Sequence, residues 1–150
     1  VIIKDKQNNV LFEVRGKEPR KGFYAVPGGF VDFDEPAEEA AIRECKEEIG
    51  VDIKHVDFFC TYPNTYVYKN IEYKTCDIFF TTDLPEEFNS IDDFIKTLKP
   101  QESEVQGFAS IKVASSAYEW QRLSCDRECA HSNCHIHHCL HYNHQRKSHY

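Results

Sequence analysis

The chain has 150 residues, 41% of them hydrophobic and 13% aromatic, which is enough for one domain with its own core and too apolar for a disordered chain. Its formal charge of −7 argues against general nucleic-acid binding. There is no apolar run of about eighteen residues and no charged-then-apolar leader, so neither a membrane span nor secretion is expected, and the expected compartment is the cytoplasm.

Val1-Ile2-Ile3 opens inside a strand pattern and the chain holds no Met, so a further N-terminal piece is expected before Val1. Residues 1–3 and 10–14 read as two strands joined by the polar turn Asp5-Lys6-Gln7-Asn8-Asn9. A basic loop follows, Arg15-Gly16-Lys17-Glu18-Pro19-Arg20-Lys21-Gly22, then an apolar run from Phe23 to Val26. This loop reads equally as a solvated connection or as a rim that holds phosphates, with Arg20 the candidate for the second role.

From Pro36 to Ile49 there is no internal Gly or Pro, and Ala, Glu, Lys, Arg and Ile dominate, so the segment reads as helix. Asp34 or Glu35 suits an N-cap or first-turn acid, Pro36 the first helical position, and Gly50 the C-terminal cap. At about 100° per residue, Ala37, Ala41, Ile42, Cys45 and Ile49 form an apolar stripe, and Glu44, Glu47 and Glu48 fall in a neighbouring arc with Glu48 at its edge. Like charges at i,i+3 and i,i+4 destabilise an isolated helix by about 0.2–0.5 kcal/mol each, a cost that a bound cation reverses. Oxygen ligands without a neighbouring His or Cys pair point to Mg²⁺ or Mn²⁺ rather than zinc. Arg43 stands where it can pair with Glu39 or Glu47 at i±4. A Glu-rich helix alone is by default a solvated face.

The spacing sets that default aside. Residues 29–51 fit G-x5-E-x7-R-E-U-x-E-E-x-G-U, with U apolar, at every required position, and on these residues the chain resembles a Nudix hydrolase. The resemblance implies an α+β Nudix fold over residues 1–113, a mixed β-sheet sandwiched between helices (α/β/α), with the motif forming a loop-helix-loop. It implies that Glu44, Glu47 and Glu48 bind metal, that Glu35 and Arg43 brace loop and helix, and that small Gly28 and Gly29 let the backbone approach metal or phosphate. The implied cofactor is Mg²⁺, with Mn²⁺ as a substitute. The implied partner is a small nucleoside diphosphate derivative. The implied chemistry is metal-assisted hydrolysis of a diphosphate, with ADP-ribose, NADH or nucleotide sugars as substrates. A nucleotide-sensing module without catalysis, and a pyrophosphatase acting on oxidised nucleoside triphosphates, are the competing readings. Oligomeric state is open, a homodimer included.

Residues 56–68 and 73–82 alternate and are rich in β-branched and aromatic residues, so they read as paired strands around Lys69-Asn70-Ile71-Glu72. Tyr62 and Tyr66 are candidates for stacking a nucleobase, although half-buried strand packing is the commoner use of such residues. Residues 89–98 place Ile91, Phe94, Ile95 and Leu98 at helical spacing, and Pro100 ends the pattern. An apolar strand spans 105–113. The resemblance makes Glu104, and after it Glu102, a further metal ligand or base. Residues 114–150 depart from the family pattern, with every histidine except His55 and four cysteines (Cys125, Cys129, Cys134, Cys139) gathered there. These are zinc-ligand residue types, but C-x3-C-x4-C-x4-C is not a standard spacing, and a disordered or non-native tail replacing the usual final helix is expected.

Overall fold

The computed structural model describes residues 1–18 and 20–113. The expectations for residues 114–150, a lost final helix and a Cys/His-rich tail, lie outside the described residues. Two compact units divide the described chain: residues 1–57 with 80–113, and the hairpin segment 58–79.

The first unit is built on β2 (Asn9–Arg15), which runs antiparallel to β1 (Ile2–Lys4), β3 (Tyr24–Ala25) and β6 (Val105–Lys112). β1 also pairs in parallel with the end of β5 (Ile71–Asp83), Ile2 opposite Thr81 and Lys4 opposite Asp83, which makes the sheet mixed. The β1–β2 turn is fixed by Asp5. Its carboxylate accepts from the amides of Gln7 and Asn9 and from Asn9 Nδ2, while Asn8 takes the left-handed conformation at φ 62°.

Helix α1 (Ala37–Ile49) follows the anticipated stripe: Cys45 and Ile49 are fully buried and Ala37, Ala41 and Ile42 pack beside them. They meet Ile3 of β1 and Leu11 of β2, together with Ile91 and Phe94 of α2 (Ile91–Ile95). Each fully buried Ile, Leu or Phe in this cluster contributes about 1.5–3 kcal/mol. Cys45 is an inert core thiol, its pKa pushed up to about 12 by burial. On the opposite face of β1 and β2, Ile2, Val10 and Phe12 are also buried. The sheet is therefore apolar on both sides, as a layered α+β fold requires.

Two boundaries differ from the sequence expectation. Pro36 is the N-cap, with extended φ and ψ and its carbonyl accepting from Ala40 N, and not the first helical residue. Neither Asp34 nor Glu35 caps the helix; Glu35 is drawn instead to Arg43. The helix expected over 89–98 is regular only from Ile91 to Ile95, capped by Ser90 Oγ accepting from Asp93 N. The chain then tightens, because the amides of Lys99 and Gln101 donate to the carbonyls of Ile49 and Glu48 at the open end of α1.

Gly50 closes α1 in the left-handed conformation, φ 73°, with its N–H reaching the Lys46 carbonyl. A Cβ there would lie 3.1 Å from Lys99 Cβ. Gly50→Ala is expected to lower stability by about 1–2 kcal/mol, read as a lower urea midpoint at unchanged slope.

The second unit is the hairpin part, residues 58–79, of β4 (Asp57–Tyr68) and β5 (Ile71–Asp83). Its turn is two residues, Lys69 and Asn70, both at positive φ (48° and 63°), shorter than the four-residue turn read from the sequence. That conformation matches the right-handed twist of the flanking strands. Alternation along β4 places Tyr62, Asn64 and Tyr66 half-buried on one face, with Asn64 Nδ2 donating to Asp77 at 2.9 Å.

Candidate active site

Arg43 organises the first turns of α1 and the loop before it. Its Nε and Nη2 donate to the two oxygens of Glu35 at 3.1 and 2.6 Å, a bidentate fork. Nη1 donates to Glu44 at 2.8 Å and to Glu47 at 3.3 Å, and Nη2 also reaches the Phe30 carbonyl at 3.0 Å. Glu35 in turn accepts from Asp32 N at 2.8 Å. Arg43, then the Asp32 amide, hold Glu35 below the usual carboxylate range, and the carboxylates raise Arg43 further above its own. The loop 28–35 is thus tied to the helix through one guanidinium. Of the two partners expected at i±4, Glu47 is contacted and Glu39 is not, while Glu35 and Glu44 take the shorter contacts.

The glycine loop lies directly on the carboxylates. Gly28 N donates to Glu48 Oε2 at 2.7 Å. A Cβ built on Gly29 would fall inside the carboxylate of Glu44, so only glycine lets the two approach. Gly29→Ala is expected to displace Glu44 and weaken Mn²⁺ binding about tenfold, with little change in melting temperature. Unchanged Mn²⁺ titration would show that the close approach serves packing alone.

Glu48 is buried, and burial pushes its pKa up to about 7, the nearby charges of Glu44 and Glu104 adding to the effect and the Gly28 N–H opposing it. Two residues without a motif signal share this region. Glu13 of β2 is also buried, its pKa pushed up to about 8 by burial and then by Glu48. Lys17, from the basic loop, pairs with Glu104. Glu104 directly precedes β6, where the β2–β6 register shifts at Val14/Arg15, and its backbone lies close to Gly16: a Cβ on Gly16 would lie 3.0 Å from the Glu104 carbonyl. The Lys99 and Gln101 amides that cap α1 lead straight into the turn that carries Glu104.

Among the described residues, no three Asp, Glu, His or Cys side chains converge as a ready cation cage, since Glu44 and Glu47 are turned to Arg43 and Glu48 to Gly28. Arg20 is exposed in the β2–β3 loop at φ 67°, and Lys17 of the same loop pairs with Glu104. Glu102 is exposed.

A profile of the NUDIX domain matches residues 1–122. The chain belongs to the Nudix hydrolase family. Among curated relatives, an ADP-ribose pyrophosphatase of Methanocaldococcus jannaschii is 49% identical over 47 residues, 31% of this chain and 28% of that protein. This Nudix chain thus spans under a third of that relative. An 8-oxo-dGTP diphosphatase of Proteus vulgaris is 33% identical over 57% of this chain and 75% of its own length. The NUDIX domain of Shewanella oneidensis NrtR, solved with ADP ribose, superposes with TM-score 0.61 at 17% identity, covering 97% of this chain and 82% of that one. At that identity the likeness concerns the fold, and it agrees with the mixed sheet and the α+β class. Among the described residues of this Nudix domain, no helix is long and apolar enough to cross a membrane.

Proposed function

We propose that this Nudix domain hydrolyses the diphosphate linkage of a nucleoside diphosphate joined to another moiety, with ADP-ribose the leading substrate and Mg²⁺, or Mn²⁺ in its place, the cofactor. One observation carries the reading: Gly28 and Gly29 lie against Glu48 and Glu44, which puts two carboxylates beneath a loop whose backbone a phosphate can approach.

The donor set suits a hard divalent cation. It is all oxygen, it has a glycine cradle that a Cβ would fill, and it includes a buried carboxylate oxygen, Glu13 Oε2, without a hydrogen-bond partner among the described residues. Glu44, Glu47 and Glu48 would hold the cation, which when bound neutralises diphosphate charge and acidifies water. The protein's own part is to hold these groups in place. Arg43 fixes Glu44 and Glu47 through Nη1 and the loop through the Phe30 carbonyl. Glu104, released from Lys17, is the carboxylate outside the helix that can take a proton from the attacking water. Tyr62 and Tyr66, sharing one face of β4, are our candidates for stacking the base. Arg20 is our candidate for a phosphate contact from the exposed loop.

Cleavage of a nucleoside triphosphate is the second reading, favoured by the Proteus vulgaris relative, and it uses the same carboxylates. The deciding experiment is hydrolysis across ADP-ribose, NADH, nucleotide sugars, dinucleoside polyphosphates and nucleoside triphosphates, with Mg²⁺, with Mn²⁺ and with chelator. Chelator-sensitive release of AMP from ADP-ribose is expected. Preference for triphosphates selects the second reading, and silence from folded protein that still binds ADP-ribose selects a sensing role.

A further inference from the structure

We propose that Glu13 is an additional oxygen ligand for the divalent cation held at α1, contributed by the sheet and lying outside the Gly29–Val51 motif. The proposal rests on the reading of Glu44 and Glu48 as cation ligands.

Glu13 stands at the middle of three strands, opposite Ala25 of β3 and Phe108 of β6. Strand alternation puts it on the same face as Leu11, which packs in the cluster of Cys45 and Ile49 from α1. Only 3% of Glu13 is exposed, and its Oε2 has no hydrogen-bond partner among the described residues. Around it the strand is apolar: Val10, Leu11 and Phe12 are all buried. An apolar residue would be easier to place there, because a carboxylate taken from water without full compensation is strongly disfavoured. The charges that reach Glu13 do not supply that compensation. Arg15 and the Val1 amino group favour its ionised form, Glu48 and Glu104 oppose it, and burial outweighs both. Two buried carboxylates, Glu13 from the sheet and Glu48 from the helix, thus repel each other at the end of α1 where the glycine loop lies. A divalent cation between such groups turns the repulsion into shared ligation, and a hard cation accepts several carboxylate oxygens.

The test is Mn²⁺ titration followed by the paramagnetic signal of free Mn²⁺, on the wild type, Glu13→Gln and Glu48→Gln, with melting curves of each in chelator. Glu13→Gln keeps the side-chain shape and removes the charge. It is expected to weaken Mn²⁺ binding about 10–100-fold, as loss of a carboxylate close to a metal does, while raising the melting temperature without metal. Wild-type Mn²⁺ affinity in Glu13→Gln beside lost affinity in Glu48→Gln would overturn the proposal and leave the reading of α1 intact. A wild type that binds no Mn²⁺ would overturn both. Should Glu13→Gln not fold, Glu13→Leu, matched to the apolar neighbours, is read in the same titration against the same two outcomes.

Discussion

Glu48→Gln is expected to lower metal-dependent turnover by about 10³-fold, corresponding to several kcal/mol of lost transition-state stabilisation, without unfolding the protein. The side chain is buried at the C-terminal turn of α1, and its Oε2 already accepts from Gly28 N. Glutamine keeps an oxygen for that bond, so the glycine loop stays docked. What disappears is the negative charge, and with it the ability to hold the cation. Because that charge is buried and opposed by Glu44 and Glu104, its removal is also expected to raise the melting temperature in chelator. A variant that is more stable yet inactive separates a functional carboxylate from a structural one. Turnover at the wild-type rate would remove Glu48 from the cation site.

Much of this site is legible in the sequence because the motif is local. Glycine, acid and arginine positions spaced over one loop and one helix need no tertiary knowledge, and helical periodicity alone places Glu44, Glu47 and Glu48 beside the core stripe. The family resemblance gives Arg43 a bracing role, but pairing by i±4 spacing cannot show that its strongest partner is Glu35, eight residues back across the loop. The same contact explains why Glu35 does not cap the helix. Glu13 escapes a reading by motif because a lone acid in a short strand carries no spacing signal. The trace that could flag it is composition: one carboxylate in Val10-Leu11-Phe12-Glu13-Val14 with apolar residues on both sides, where consecutive apolar residues imply burial of both faces. Lys17 and Arg20 lie in the same loop with the same charge. Choosing between them requires the bulge after Val14 and the approach of Gly16 to the Glu104 backbone, and both are long-range features. The final helix turn expected at 96–98 gives way to a tertiary demand, the open carbonyls of α1.

In chelator, the melting temperature is expected to fall as pH rises from about 5 to about 8.5. Glu13 and Glu48 have folded-state pKa values raised to about 8 and about 7 from an ordinary value of 4.5. Between these limits the folded protein therefore holds more protons than the unfolded chain, and stability declines with pH. The contribution is fully present below about pH 4.5 and is lost as pH passes through 7 to 8. Glu35 acts in the opposite sense, but its lowered pKa matters only on the acid side of that window. Both shifts act in the same sense, so the slope is expected to be clearly resolved as a lower melting temperature at the alkaline end of the window. Saturating Mg²⁺ or Mn²⁺ is expected to flatten the slope and reverse it, since the cation competes with protons for the same oxygens and binds only the folded arrangement. A melting temperature that is flat from about pH 5 to about 8.5 in chelator would mean that Glu13 and Glu48 are better solvated or paired than their burial indicates. Persistence of the downward slope in saturating metal would mean that the cation binds elsewhere. The slope in chelator, its reversal by metal and its reduction in Glu13→Gln together connect a sheet residue outside the motif to the helix carboxylates within it.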